Sequence, residues 1–325
     1  LGLFCAAISA KDIGHVIIYG GTFLPTALSA ILSVVALVGV IHLAIFLLDS
    51  RKKKKKRQAQ TEAVALRGPG QSLLIRMERV AEDIRSCYIY LLIIPLAILV
   101  IHLVLSYIVK VPESWPRVAV SAGITLAYLC YFLGRWMALG ARRKTYGRAY
   151  DGEVVVAKQL NRLEADGYHV YHDFPADQFY IDHIVIGPTG VMAVETRTRT
   201  KAASQNHEVD PMVTYDGRML HFPKYSDYQI IEGAKHQAAW LSHWISAATG
   251  EDIAARAMVA LPGWSVKRTS ADGIPVVNPG QIETLFKHIR PRPLSESQVA
   301  RIVQLIDQQC RDTGIDGNCC YTVSA

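Results

Sequence analysis

The sequence predicts an α/β domain preceded by a three-helix transmembrane region, and three observations predict it. Long, nearly uncharged runs fill much of the first 145 residues. Beyond them the apolar pattern alternates between helical and strand periods, in the order helix, three strands, helix, strand. Within that part, one hairpin sets two carboxylates side by side among apolar neighbours. A chain of 325 residues allows about two domains, and a hydrophobic content of 50% fits one of them lying in lipid.

The membrane region covers 1–145. Residues 13–48 carry no Lys, Arg, Asp or Glu, more than the roughly 20 residues that one span needs. This run is too long for a signal-peptide core, and no small-residue cleavage pattern follows it, so it reads as a retained anchor. Its span is about 23–48. A second uncharged run gives a span over 86–109, and a third, 118–139, extends past Arg135 if that side chain snorkels. His42 and His102 are the notable polar groups in these runs. With no charged partner in the spans, they read as neutral packed imidazoles rather than as an ion pathway.

Charge sets the orientation. The loop 51–85 holds eleven basic and four acidic residues, and the loop 110–117 holds two and one. The polybasic loop therefore belongs in the cytoplasm, the N-terminus outside, and everything after about Gly140 inside. The expected setting is an integral membrane protein of a bacterial inner membrane. Within that loop the run RKKKKKR, from Arg51 to Arg57, adjoins the first span, where anionic head groups attract it by about 1 kcal/mol per residue. Membrane lipids are thus its expected partners, ahead of a nucleic acid. Residues 71–85, with apolar positions at helical spacing, are expected along the inner membrane surface. The loop's net +7 equals the charge of the whole chain, while residues 146–325 hold 17 basic and 21 acidic residues, a net of −4. A broad basic surface for nucleic acid is excluded there; any such contact must be local. Six scattered cysteines without a CxxC pair predict neither a zinc site nor a disulfide framework.

The soluble part divides into 146–280 and a closing segment, 281–325. Residues 151–166 read as a helix with Val156, Leu160 and Leu163 on one face and Gly167 past its end. Glu153 lies in its first turn, where the helix dipole favours an acid whatever its function. Residues 168–174 are a strand candidate, and extended pieces flank the turn signal Asp216-Gly217. Residues 228–248 form the longest soluble helix, with a core stripe of Ile231, Ala234, Ala238, Leu241 and Ile245. Strands over 256–261 and 274–277 and helices over 281–289 and 295–312 complete the chain.

The hairpin is 179–186 and 191–197, joined by Gly187-Pro188-Thr189-Gly190. In a symmetric turn, facing partners sum to 377, so Ile184 faces Ala193 and Asp182 faces Glu195. Like charges directly opposite destabilise a sheet, more so among apolar neighbours. One resolution is a cation: two hard carboxylates suit Mg2+, with water completing the shell. The other is a surface hairpin whose acids face water. His183 points to the opposite face of its strand, and so do His169 and His172 from each other, so no metal site is expected from them. Tyr225, Tyr228, Trp240 and Trp244 suit either base stacking or core packing.

The element order, with DGE opening the first helix, IDHIVIGPTG on one strand and VETRT on the next, resembles the nuclease-related domain, NERD. That family is similar to the PD-(D/E)xK nucleases and is often fused to transmembrane segments. The resemblance covers about residues 146–277 and implies a mixed central sheet flanked by helices. It implies that Asp182 and Glu195 bind Mg2+ or Mn2+, that Glu153 supports the site, and that Gln237 reaches it from the later helix. Arg197 stands where the family pattern has Lys. An arginine clamps phosphate well but stays charged and cannot act as a general base.

Two expectations follow. One is a membrane-anchored cytoplasmic hydrolase of DNA or RNA phosphodiesters, with Glu153, Asp182, Glu195, Arg197 and Gln237 as its working residues. The other is an inactive nuclease-like module that binds nucleic acid or a protein complex at the membrane.

Overall fold

A computed structural model describes residues 67–104, 108, 115–199, 211–289 and 292–312. The first predicted span, the Arg51 to Arg57 run and His42 lie outside the described residues. The chain divides into two units, one of Leu1–Gln60 and Val80–Ala141, the other of Thr61–Arg79 and Arg142–Ala325.

Two long helices carry the first unit's described part. Helix α1 is Gln71–Leu103 and helix α2 is Trp115–Leu160. In the first unit Tyr128 donates its hydroxyl hydrogen to the Tyr90 carbonyl at 2.6 Å, and Tyr88 meets Trp136 edge to face. Val120, Ile124, Leu126, Leu133 and Met137 are all exposed, as a helix meant for lipid would leave them. Among the described residues one helical stretch, Ala119–Asp166, is long and apolar enough to cross a membrane by length and composition. Three spans were expected. The second predicted run falls largely within α1, and the third within α2.

Both helices run on where sequence reading separates them. The segment 71–85 and the run after it are one helix, and the third predicted span continues without a break into the helix that carries Glu153. No proline interrupts 117–160, and an isolated glycine costs only about 1 kcal/mol in a helix. The chain then tightens into a 3-10 turn, Asn161–Asp166, that ends at Gly167 with φ of 83°.

The second unit is built on a five-stranded mixed sheet. Its strands are β1 (His169–Pro175), β2 (Tyr180–Gly187), β3 (Gly190–Thr196), β7 (Ala255–Ala260) and β9 (Val276–Val277), in that spatial order. The first three form an antiparallel meander; β7 and β9 add in parallel. A smaller sheet of β4 (Met212–Tyr215), β5 (Leu220–Phe222), β6 (Tyr225–Asp227) and β8 (Ser265–Arg268) is ordered β6-β5-β4-β8. Helices α3 (Gln229–Thr249), α4 (Ile282–His288) and α5 (Glu296–Asp312) complete it.

Period-2 alternation sends side chains to two cores. One gathers Ile184, Ile186, Val191 and Ala193 with the α3 stripe, Ile302 and Ile306 of α5, and Val213 and Leu220 of the small sheet. The other gathers Val185, Met192 and Val194 with Val156 and Leu160 of α2 and Ile282 and Phe286 of α4. Ile231, Leu241 and Ile245 are fully buried, each stabilising the fold by about 1.5–3 kcal/mol. The closing helices are thus part of the cores. The acidic residues meet on the inner strands β2 and β3, where α2 brings Glu153 and α3 brings Gln237.

Candidate functional site

The hairpin pairs His183 with Val194, Ile184 with Ala193 and Gly187 with Gly190, the symmetric register. One step beyond the ladder, Asp182 and Glu195 stand opposite. Asp182 is half-buried, and its Oδ2 accepts the Thr196 backbone N–H at 2.7 Å. Glu195 is 2% exposed, held between β2 and β7. Its Oε2 accepts from the Gln237 side-chain nitrogen at 2.5 Å, and its Oε1 pairs with the Arg197 guanidinium. Arg197 is fixed by its backbone N–H on the Ala260 carbonyl, 3.0 Å, while half of its side chain is exposed. Gln237 lies in the buried stripe of α3, one turn from Ala234 and Leu241.

Glu153 comes from α2 and is buried. The DGE triplet has a steric reason: a Cβ at Gly152 would run into the Thr198 side chain and lie 3.5 Å from Pro262. Glycine lets the helix pass this close to the end of β3 without displacing the Thr198 side chain. Gly70, with φ of 66°, does the same from the other side, since a Cβ there would be 2.7 Å from the Tyr150 ring and 3.3 Å from Glu153 Oε2.

The carboxylates feel one another. Burial, then Asp173 and Glu195, push Glu153 up to about 8, against the pull of Arg197 and Arg76. Burial, then Glu153 and Glu195, hold the Asp182 carboxyl well above its usual range, against Arg197 and the Thr196 N–H. The five residues expected from sequence therefore meet in one place. Two buried oxygens there, Glu153 Oε2 and Gln237 Oε1, have no hydrogen-bond partner. An excess of buried acceptors with raised carboxyl pKa values fits a hard divalent cation by charge and ligand chemistry. Among the described residues no group of three or more His, Cys, Asp or Glu side chains is placed to hold a metal. Of these residues, Asp182 and Glu195 are the two carboxylates that could hold such an ion, and only with Arg197 displaced from Glu195.

Sequence reading missed a fourth acid. Asp173, 1% exposed and at φ of 51°, accepts from Arg67 Nε at 3.0 Å, from an Arg67 terminal nitrogen at 2.7 Å, and from the Ser72 N–H at 3.1 Å. It thereby caps α1 and brings Arg67, from the loop assigned to the membrane region, into the α/β unit. Burial raises the Asp173 carboxyl, and Arg67 and Ser72 oppose the rise. The one available signal was register: continuing β1 against β2 sets Asp173 opposite Asp182.

The histidines form a wire behind the site. His172 Nε2 lies 2.9 Å from Asn161 Oδ1, the two Nδ1 atoms of His172 and His183 lie 2.9 Å apart, and His183 Nε2 lies 3.2 Å from Thr196 Oγ1. Burial lowers His172 to about 4, and burial with His172 lowers His183 further below its ordinary value. Both rings are neutral, so partner chemistry assigns the protons: His172 donates to Asn161, His183 donates to His172, and Thr196 donates to His183. The wire holds Thr196, whose N–H holds Asp182. His169 is exposed and lines a groove against α5, away from these residues. Trp240 and Trp244 stack at 6.1 Å and pack on Phe174 and Phe179, whereas Tyr225 and Tyr228 are exposed. Cys87 and Cys310 are buried free thiols, and Cys130 is exposed.

Residues 148–262 match the nuclease-related domain family, NERD. The NERD match begins within α2, spans Glu153, Asp182, Glu195, Arg197 and Gln237, and ends just after β7. It leaves out α1, with Arg76, and Arg67 ahead of it, as well as β8, β9, α4 and α5. No curated protein and no solved structure matches the chain.

Proposed function

We propose that this protein is a membrane-anchored nuclease-related hydrolase that cuts nucleic-acid phosphodiesters with Mg2+ or Mn2+. The observation that carries the reading is the convergence of Glu153, Asp182, Glu195 and Gln237, with two unpartnered buried oxygens, beside a half-exposed arginine. Asp182 and Glu195 would hold the ion. When bound, it polarises the scissile phosphate and makes a water acidic enough to attack near neutral pH. The other roles follow from the chain's own groups. Arg197, released from Glu195, clamps the phosphate as a permanent cation. Glu153, whose carboxyl stands near 8 in the ion-free site, carries a proton at neutral pH and would give it up as the ion enters, which makes it the group able to exchange a proton there, a role the arginine cannot fill. Gln237 fixes the Glu195 carboxylate through one oxygen. Membrane anchoring through the three spans, an outside N-terminus and a cytoplasmic α/β unit are part of the same proposal; α2 and the polybasic loop support them.

One observation favours a second reading, a binding module without turnover. Arg197 replaces the expected lysine and neutralises Glu195, leaving an ion less reason to enter. The deciding experiment incubates the full chain, in detergent micelles, with single- and double-stranded DNA and RNA in Mg2+ and in Mn2+. The hydrolase reading expects cleavage that disappears in Asp182→Asn and in EDTA. Cleavage that survives both comes from a contaminant. No cleavage, together with no divalent-ion heat in calorimetry, overturns the metal-dependent reading. Turnover confined to Arg197→Lys assigns the natural protein to the binding class.

A further inference from the structure

The chain leaving the carboxylates runs Glu195, Thr196, Arg197, Thr198, Arg199, with both arginines exposed. Arg199 pairs with Asp227 at 2.6 Å. Asp227 in turn accepts the Gln229 N–H at 2.9 Å, at the start of α3. Directly beside that pair lie Tyr225 and Tyr228, 47% and 57% exposed, the first on β6 and the second at the N-cap of α3.

Tyr225 stands on a built support. The Tyr225 ring stacks on Phe222 with centroids 4.9 Å apart and planes 21° from parallel, so one face is covered and its exposure belongs to the other. Phe222 is buried and meets Trp264 edge to face at 5.0 Å. The Trp264 indole N–H donates to the Arg199 carbonyl at 3.5 Å. A continuous set of contacts thus fixes Tyr225 relative to Arg199, two residues beyond Arg197 and about 7 Å along an extended chain. Lys224, exposed in the same hairpin, adds a third cation.

We infer that Tyr225 and Tyr228 are a base-stacking platform flanking the carboxylate site, and that the nucleic acid this surface takes is single-stranded. The inference rests on the nuclease reading of the carboxylate site and names its substrate class. Aromatic faces recognise unpaired bases, because in a duplex the base faces are already stacked on each other. Lys224 and the outward N–H groups that Arg199 and Arg197 keep beyond their pairs with Asp227 and Glu195 supply phosphate contacts along one short path. A duplex binder needs a broad basic surface, and residues 146–325 carry a net −4. Stacking with a few local cations is the recognition mode that this charge permits.

Fluorescence anisotropy of the full chain in detergent micelles tests it, with labelled oligothymidine and a labelled duplex of equal length, at one salt concentration and in EDTA so that nothing is cut. The single strand is expected to bind at least about tenfold more tightly than the duplex. Tyr225→Ala with Tyr228→Ala should weaken single-strand binding by about tenfold or more, the usual range for loss of stacked bases. The paired Tyr→Phe substitutions, which keep the rings, should retain it and so control for folding. Equal affinity for duplex, or unchanged single-strand binding in the double alanine variant, overturns the platform. The two readings fail separately. Tyrosine-dependent binding without cleavage in Mg2+ or Mn2+ sinks the hydrolase and keeps the platform. Cleavage by a double alanine variant that binds as the wild type does the reverse.

Discussion

Arg197 determines how Glu195 is used. It neutralises one carboxylate oxygen of a buried acid while Gln237 holds the other, so the proposed divalent ion would have to compete with this guanidinium for the same group. Arg197→Ala should therefore tighten Mn2+ binding by up to about fivefold, the equivalent of a half-exposed ion pair worth about 1 kcal/mol. It should also lower the metal-free melting temperature, because a buried carboxylate loses its partner. Calorimetry and a melt with and without Mn2+ read both effects; weaker binding would show that Arg197 helps to hold the ion. Glu153 gives a pH signature. Its carboxyl is raised to about 8 from an unfolded value near 4.5, so between those limits the folded chain holds a proton that the unfolded chain has lost. The stability tied to that proton is complete below pH 4.5 and disappears as pH rises through 8, a change on the order of a few kcal/mol. His172, lowered to about 4, acts in the opposite sense and below pH 6.5. A melting temperature that falls between pH 6.5 and 8 in EDTA and levels off above pH 8, with the fall flattened in Glu153→Gln, is the expected result; an unchanged slope would remove Glu153 as its source. Asp182 and Glu195 were legible because a two-residue turn fixes their register. Asp173 was not, because its partner Arg67 is 106 residues away and no local pattern announces that distance.

At the scale of elements, the start of α1 belongs with the α/β unit. Arg67 is 8% exposed and Asp173 1%, and the Ser72 N–H closes the same cap. Removing one partner of such a pair leaves an uncompensated buried charge, at a cost of about 3–5 kcal/mol. Arg67→Ala should destabilise the α/β unit by that amount, and a fragment beginning at Tyr146 should fold poorly where one that includes residues 61–79 folds well. Chemical denaturation monitored by tryptophan fluorescence checks both, and an Arg67→Ala midpoint equal to wild type would show the pair to be dispensable. Strong periodic elements were readable: the α3 stripe, the hairpin and the closing helices appear where their patterns put them. The joins were not. A change from apolar to charged composition near residue 140 reads as a boundary, yet helix propensity continues across it and α2 does not stop. β6 and β8 were missed because three or four mostly polar residues, such as YSD and SVKR, give no periodic signal and pair only through their neighbours.

For the whole molecule, the proposed anchoring and the proposed function meet in the charge distribution. On that proposal, the net +7 of residues 51–85 puts the attraction for anionic lipid in the loop, and the net −4 of residues 146–325 limits phosphate contacts of the α/β unit to local cations. On the proposed topology the polybasic loop and the α/β unit share one side of the membrane, since α2 enters from outside and leads into the unit. Sealed vesicles of the two orientations test this directly. In inside-out vesicles an added protease should degrade the α/β unit without detergent; in right-side-out vesicles the same unit should survive until detergent is added. Alkaline carbonate should leave the full chain in the membrane pellet, because side chains such as Val120, Ile124 and Leu126 are apolar and exposed on a helix long enough to span. Protection in inside-out vesicles would reverse the orientation, and with it the access of the carboxylate site to cytoplasmic nucleic acid. Release by carbonate would remove the anchor itself, leaving the Arg51 to Arg57 run to hold the protein at the surface by charge alone, a hold that salt would weaken.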